Sequence, residues 1–491
     1  MYSDKKIWIA SSDKEVYLYP EMANRHGLIT GASGTGKTVT LRVLAESFSE
    51  AGIPVFFSDM KGDVGGICLP GEDTEKMRKR IDRFGIKDFE FKGFPTRFWD
   101  VYGETGHPVR TTMSSMGATL LARLMNLSDI QADVLTVVFR ICKDEGWDII
   151  DTKDLRAVLQ YVNDHKDDYI SEYGNMSTQS LGAVQRSLRS LEDEGGDIFF
   201  GEPAIDLDDW MQTDKDGRGF INVLNSEKLS RSPKLYGTFM MWLMQELFER
   251  LPEAGDIDKP KLVFFFDEAH MLFSDAPKSL VQKIEQMVKL IRSKGVGIYF
   301  VSQSPSDIPD SVLAQLSNRI QHALRAYTPA EQKAVKAAAS AFRANKAFKT
   351  EEVIMELGVG EALVSCLDEN GTPSVVERAF ILPPQSNLKA LDKAGYDKVV
   401  KASPFDKKYS KPVDRDSAYE KIQKLNEKAK KEEEKKQEKA PAAKTSTAKK
   451  TTTTKKSSSA VSKTAEKAVG KAATSAGRAI GNGIIKGLFK K

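Results

Sequence analysis

An α/β fold built on a parallel sheet is the architecture this 491-residue chain predicts, and three observations carry that reading. Short apolar runs alternate with amphipathic stretches from Leu28 to about Asp100. A glycine-rich turn, "GASGTGKT", separates the first such run from the first such stretch. Much later a second apolar run, "LVFFFDEAH", delivers two adjacent acids. Strands joined through helices need crossover connections, so neighbouring strands are expected to be parallel.

Taken in order, the chain opens with Ile7 and Ile9, then Val16 and Leu18, alternating about the turn-like "SSDK", which reads as a hairpin. "HGLIT" is the strand before the glycine turn. Leu41, Leu44, Ala45 and Phe48 then recur at helical spacing up to Ala51-Gly52. "IPVFFSD" (53–59) is a buried strand that ends at Asp59. Three apolar stripes mark a helical insertion: Val134, Val137, Val138 and Ile141 behind a capping box of Ser128 and Gln131; Leu155, Val158, Leu159 and Val162; and Leu181, Val184, Leu188 and Leu191. Strand grammar resumes in "GFINVL" (219–224), followed by a long helix near 233–250, "KLVFFFDEAH" (261–270) and "VGIYFVSQSP" (296–305). A hairpin around Asn370-Gly371, within 361–384, is expected to close the globular part.

The expected organisation has five parts. Residues 1–106 hold the N-terminal hairpin and the first part of the core, and 107–215 a mainly helical insertion. Residues 216–390 hold the second part of the core with the sensor strand and hairpin, 391–440 a charged helical linker, and 441–491 a basic low-complexity tail. That tail is poor in apolar residues and is expected to be disordered.

Composition excludes some classes. No run of 18 apolar residues occurs, and the first twenty residues lack a secretory apolar core, so a cytoplasmic protein is expected. Cys68, Cys142 and Cys366 are too widely spaced for a metal site and read as reduced, packed thiols. Residues 401–491 carry 25 Lys and Arg against 10 Asp and Glu, leaving 48 against 59 in residues 1–400. Any contact of the acidic body with nucleic acid therefore needs a local basic patch.

"GASGTGKT" satisfies G-x-x-x-x-G-K-[ST] in the context that gives the pattern meaning, between a strand and a helix. Gly31, Ala32, Ser33, Gly34, Thr35 and Gly36 would curl their backbone N–H groups around phosphate oxygens, and the helix behind them adds its positive end. Lys37 would reach the β- and γ-phosphates, and Thr38 would bind Mg2+ through its hydroxyl. The ligand implied is a nucleoside triphosphate, taken as ATP.

Asp267 and Glu268 follow five apolar residues, at the strand edge where open α/β sheets place their ligands. Asp267 can hold Mg2+ through water, and Glu268 can orient and deprotonate the attacking water. His270 reads as a packing or hydrogen-bonding residue. Gln303 can sense the γ-phosphate, or it can simply occupy the turn before Pro305. Arg292 can reach a phosphate bound to a neighbouring subunit, with Arg319 as its rival.

With these residues assembled, the chain resembles the HerA/FtsK group of P-loop ATPases, most closely the YjgR-type branch of HerA-like proteins. The likeness rests on "GASGTGKT", "FFSDMKGD", "FFFDEAH", "RSKGVGIYFVSQSPSDIPDSVLAQLSNRIQHALRA" and the hairpin beyond, roughly residues 20–390. It implies a RecA-like core assembled as a homo-oligomer, usually a hexameric ring, with each site at a subunit interface. There Lys37, Thr38, Asp267, Glu268 and Gln303 would face an arginine from a neighbour, and Arg292 matches that finger by position. The activity it implies is ATP-driven translocation along double-stranded DNA. The alternatives are an ATP-dependent switch that binds a protein partner, or an ATPase recruited to membranes by its tail. The lysine-rich tail can track a phosphate backbone, lie on an anionic membrane through Ile480, Ile484, Ile485, Leu488 and Phe489, or merely keep the chain soluble.

Overall fold

The computed structural model describes residues 1–273 and 278–438. The first strands are β1 (Tyr2–Ser3), β2 (Lys6–Ser11), β3 (Glu15–Leu18), β4 (Gly27–Thr30), β5 (Val55–Asp59), β6 (Thr96–Asp100) and β7 (His107–Pro108). After a long helical stretch come β8 (Ile221–Asn225), β9 (Leu262–Phe266), β10 (Val296–Ser302), β11 (Asn318–Gln321), β12 (Glu361–Ser365) and β13 (Glu377–Ile381). They form one sheet in the order β1-β2-β13-β12-β11-β4-β10-β9-β5-β8-β6-β7, with β3 also paired to β2. From β11 to β7 each neighbouring pair is parallel. The hairpins at the other end add antiparallel strands.

The apolar runs owe their length to burial on both faces. Successive side chains point to opposite sides, so Phe264 and Phe266 enter one core while Val263 and Phe265 enter the other. On the first side, Phe264 stacks on Phe56 with ring centroids 4.3 Å apart, and Phe56 stacks on Trp210 at 4.4 Å. The helices Pro233–Arg250 and Lys278–Ile291 cover this face. On the second side, Leu41, Leu44, Ala45 and Phe48 of the helix Lys37–Glu50 lie against Phe57, Phe265 and Val301.

The insertion leaves the sheet after β7 and returns at β8. Its helices start where side chains accept the otherwise unpaired backbone N–H groups: Thr112 from Ser115, Asp151 from Asp154 and Ser177 from Ser180, with the Ser128–Gln131 capping box present. The three stripes are buried except for Val137, which is half-buried. Cys142 and Cys366 are buried free thiols, and Cys68 is half-buried.

The hairpin of β12 and β13 turns at Asn370-Gly371, where Asp368 Oδ1 accepts the N–H groups of Asn370 and Thr372. It does not end the packed part. The chain returns beneath the sheet: Tyr396 meets the Phe98 ring edge-on at 4.7 Å, and Tyr409 meets Trp99 at 5.5 Å. Tyr409 Oη also donates to buried Asp209 at 2.5 Å, and Ser417 Oγ donates to buried Asp154 at 2.5 Å. Lysines around these few anchors gave the stretch the look of a solvated linker. The first compact unit therefore runs from Met1 to Lys428. Of the second, Ala429–Lys491, the described residues comprise the helical stretch to Glu438, so the expectation of a disordered tail lies outside them. No helix among the described residues is long and apolar enough to cross a membrane.

His26 ties the entry of β4 to the start of β10. Its Nε2 bonds the Val288 carbonyl at 2.7 Å and its Nδ1 accepts the Ile298 N–H at 3.0 Å, an arrangement only the neutral ring can make. Burial pushes its pKa down to about 4, against a small opposing pull from the Val288 carbonyl. A folded-state value below the ordinary one means the contribution is complete above about 6.5 and lost as pH falls toward 4, on the order of 3 kcal/mol in all. His26→Asn, which tolerates the positive φ of 59° at this position, should flatten the fall in melting temperature between pH 6.5 and 4 in scanning calorimetry. An unchanged slope would place the titration elsewhere.

Candidate active site

Four strand ends lie side by side. β10 pairs with β4 on one side and β9 on the other, and β5 pairs with the far side of β9. All run the same way, so the loops after Thr30, Phe266 and Asp59 open on one edge of the sheet.

After β4 the chain turns through Gly31, Gly34 and Gly36, at φ of 153°, 76° and 117°. A Cβ on Gly31 would sit 2.5 Å from the His322 Cβ and 2.9 Å from Thr35 Oγ1, so glycine is required there. Ala32 N donates to the Ala323 carbonyl at 2.8 Å, and Thr35 Oγ1 to the Ala32 carbonyl at 2.7 Å. Beneath the loop His322 joins the Glu361 carbonyl at Nδ1 to Thr40 Oγ1 at Nε2, 2.9 and 2.8 Å away. Burial holds its pKa at about 4, so the support is a neutral ring. Lys37 Nζ folds back on the Gly31 and Ala32 carbonyls at 2.6 and 3.1 Å. Burial lowers its pKa, and Glu268 partly restores it.

Ser33, Gly34, Gly36, Lys37, Thr38 and Asp267 share a cleft of about 290 Å³ with Lys61, Asp63 and Val359. Asp267 is half-buried, and desolvation of its carboxyl, followed by the neighbouring Glu268 charge, pushes its pKa up to about 7. Its Oδ1 accepts the Glu268 N–H at 3.0 Å. Tyr236 Oη donates to the Asp267 backbone carbonyl at 3.2 Å and meets Ser58 Oγ at 2.8 Å, which secures the strand end. Glu268 has a φ of 47°, unusual for a residue with a Cβ. Its Oε1 lies 3.6 Å from Lys61 Nζ, and its Oε2 is buried 3.4 Å from His270 Nδ1 without a hydrogen bond.

The loop after β5, which no sequence pattern assigned a role, also reaches the cleft through Lys61 and Asp63. Asp59 organises it: Oδ1 accepts the N–H groups of Lys61, Gly62 and Asp63, and Oδ2 that of Val64, at 2.8 to 3.3 Å. Burial raises the Asp59 pKa, opposed by these bonds, with the Val64 N–H foremost. An acid at the end of a buried strand, followed by a glycine, was the available signal.

The remaining candidates lie apart from the cleft. Gln303 is exposed and faces a separate concavity of about 470 Å³ with His270, Phe273 and Asp307. Asp307 takes both the Ser302 hydroxyl and the Ser304 N–H, and this closes the turn and leaves Gln303 outside it. Arg292 precedes β10 at the opposite edge of the sheet, with Nη2 3.6 Å from Asp256. Seven strand residues put it roughly 20 Å from its own cleft. Arg319 is committed within its chain, its guanidinium donating to the carbonyls of Leu316, Leu313 and Ala341.

The family model described as helicase HerA-like C-terminal matches residues 4–491. The DNA double-strand break repair helicase HerA of Sulfolobus acidocaldarius is 22% identical over 336 residues, 67% of this chain and 60% of that protein. The chain thus matches about 60% of that relative's length. Among solved structures, VirB4 of Thermoanaerobacter pseudethanolicus aligns with a TM-score of 0.51 and 15% identity, covering 78% of this chain and 97% of that one. The plasmid coupling protein TrwB in complex with the ATP analogue ADPNP aligns at 0.50 and 15%, covering 78% and 90%. The shared architecture is the RecA-like P-loop core.

Removing the Asp59 carboxylate would leave four N–H groups without their acceptor. Asp59→Ala is expected to cost about 2–3 kcal/mol in chemical denaturation and to accelerate amide exchange at residues 61–64. Unchanged exchange there would show that the loop is held by something else.

Proposed function

The chain belongs to the helicase HerA-like C-terminal family, and from that premise we propose that it is a Mg2+-dependent ATPase coupling hydrolysis to movement along, or remodelling of, double-stranded DNA as an oligomeric ring. The observation that carries the ATPase reading is the lining of one cleft by Lys37, Thr38 and Asp267, with Glu268 beside it.

The donor set suits a hard divalent cation. Thr38 offers a hydroxyl and Asp267 a carboxylate whose raised pKa reflects burial beside a second acid. Mg2+ held by these two residues would screen the charge of the phosphate oxygens. Lys37 leaves the Gly31 and Ala32 carbonyls for the β- and γ-phosphates, an exchange of weak acceptors for anionic ones. Glu268 orients the attacking water and takes its proton on a carboxylate oxygen. Gln303, one residue beyond β10, faces away from this cleft and takes no part in the site within one protomer.

Arg292 stands too far from its own cleft to act there, which supports assembly with a second copy that receives its guanidinium, six copies by analogy with the group. The helicase family and the name of the Sulfolobus relative support DNA as the substrate.

Glu268→Gln should keep ATP binding and lower turnover about 10²- to 10⁴-fold, while Lys37→Ala should lose binding. Retained turnover in Glu268→Gln would refute its role. Duplex DNA should stimulate hydrolysis by the native chain, whose mass in solution should be a multiple of one protomer. Stimulation by a protein and not by DNA would favour the switch reading.

A further inference from the structure

We propose that Lys61 is a sensor of the bound nucleotide. Its ammonium neutralises Glu268 when no triphosphate is present and transfers to the terminal phosphate when one arrives, freeing the glutamate for water. The inference rests on reading the cleft as a triphosphate site.

Register puts Lys61 there. Phe57 of β5 pairs with Phe265 of β9, so two residues further on Asp59 stands level with Asp267. The loop that follows emerges beside the acid pair. Asp59 fixes its course through four backbone N–H groups, and Gly62 turns it at a φ of 69°. The Lys61 stem is thereby anchored while its ammonium stays adjustable.

The contact with Glu268 is built to be exchanged. Nζ lies 3.6 Å from Oε1, beyond hydrogen-bond range, and the lysine side chain is 56% exposed against 15% for the glutamate. Such a contact is weak. A terminal phosphate carries more negative charge than a carboxylate and attracts the same ammonium more strongly. ADP lacks that phosphate and would leave the pair in place. Lys61 also lies within electrostatic reach of Lys37 and Asp267, as expected of a group facing the same phosphates.

The test compares affinities for ADP and for a non-hydrolysable ATP analogue, both with Mg2+, in the native full-length chain, Lys61→Met, Glu268→Gln and the double variant. Lys61→Met should weaken the analogue about tenfold and leave ADP within about twofold. Glu268→Gln should tighten the analogue when Lys61 is present and have no effect when it is Met. Lys61→Arg should restore the preference for the triphosphate. Thermal melting checks that each variant is folded, which the exposure of Lys61 favours. Equal weakening of both nucleotides in Lys61→Met, or the same effect of Glu268→Gln in both backgrounds, would overturn the sensor role. A native chain that binds neither nucleotide would sink the triphosphate reading itself, and the sensor with it.

Discussion

Parallel pairing of β4, β10, β9 and β5 is the constraint on which the rest depends. Because these strands run together, the glycine turn, the acid pair and the Asp59 loop all emerge at one edge. Lys37 and Asp267 are separated by 230 positions in the chain and line the same cleft for this reason alone. The same geometry sends Arg292, at the other end of β10, to the opposite edge, where it has no use for its own site.

Two acids on this edge meet desolvation differently. Asp59 takes four backbone N–H groups, which offset part of its cost of burial, and it serves as a structural pin. Asp267 accepts the single N–H of Glu268 and stands beside that residue's own charge. Its pKa is raised accordingly, and a cation is the partner such a carboxylate calls for. Glu268, in a left-handed conformation, gives its N–H to Asp267 but turns its carboxylate elsewhere, one oxygen toward Lys61 and the other toward His270. Neutral His322 below the phosphate loop completes a support in which rigidity comes from hydrogen bonds and the mobile charges belong to lysines.

Behind the site, the insertion and the returning chain stabilise one another. Asp154 caps the start of its own helix by accepting the Ile150 N–H and also receives Ser417 and the Tyr419 N–H. Asp209 gathers Tyr409 and Lys408. Each of these carboxylates is reached from about two hundred or more residues away, which ties the last helices to the same unit as the sheet.

Local pattern determined much of this protein. Burial on both faces was legible in "LVFFF", the helix over 233–250 in its spacing, the capping box in Ser128 and Gln131, and the phosphate loop in its glycines. Features set by distant partners were not. β6 and β11 are short and carry Arg97 or Arg319 and Asn318, and only neighbouring strands make them buried. Tyr396 and Tyr409 are scattered among lysines, and the core they enter lies hundreds of residues upstream. The sequence named Lys37, Thr38, Asp267 and Glu268 because each belongs to a motif within one turn or strand end. It could not place Lys61 against Glu268 or exclude Gln303 from the cleft. Those outcomes depend on strand register and on which carboxylate closes which loop, and both are decided only when the sheet is assembled.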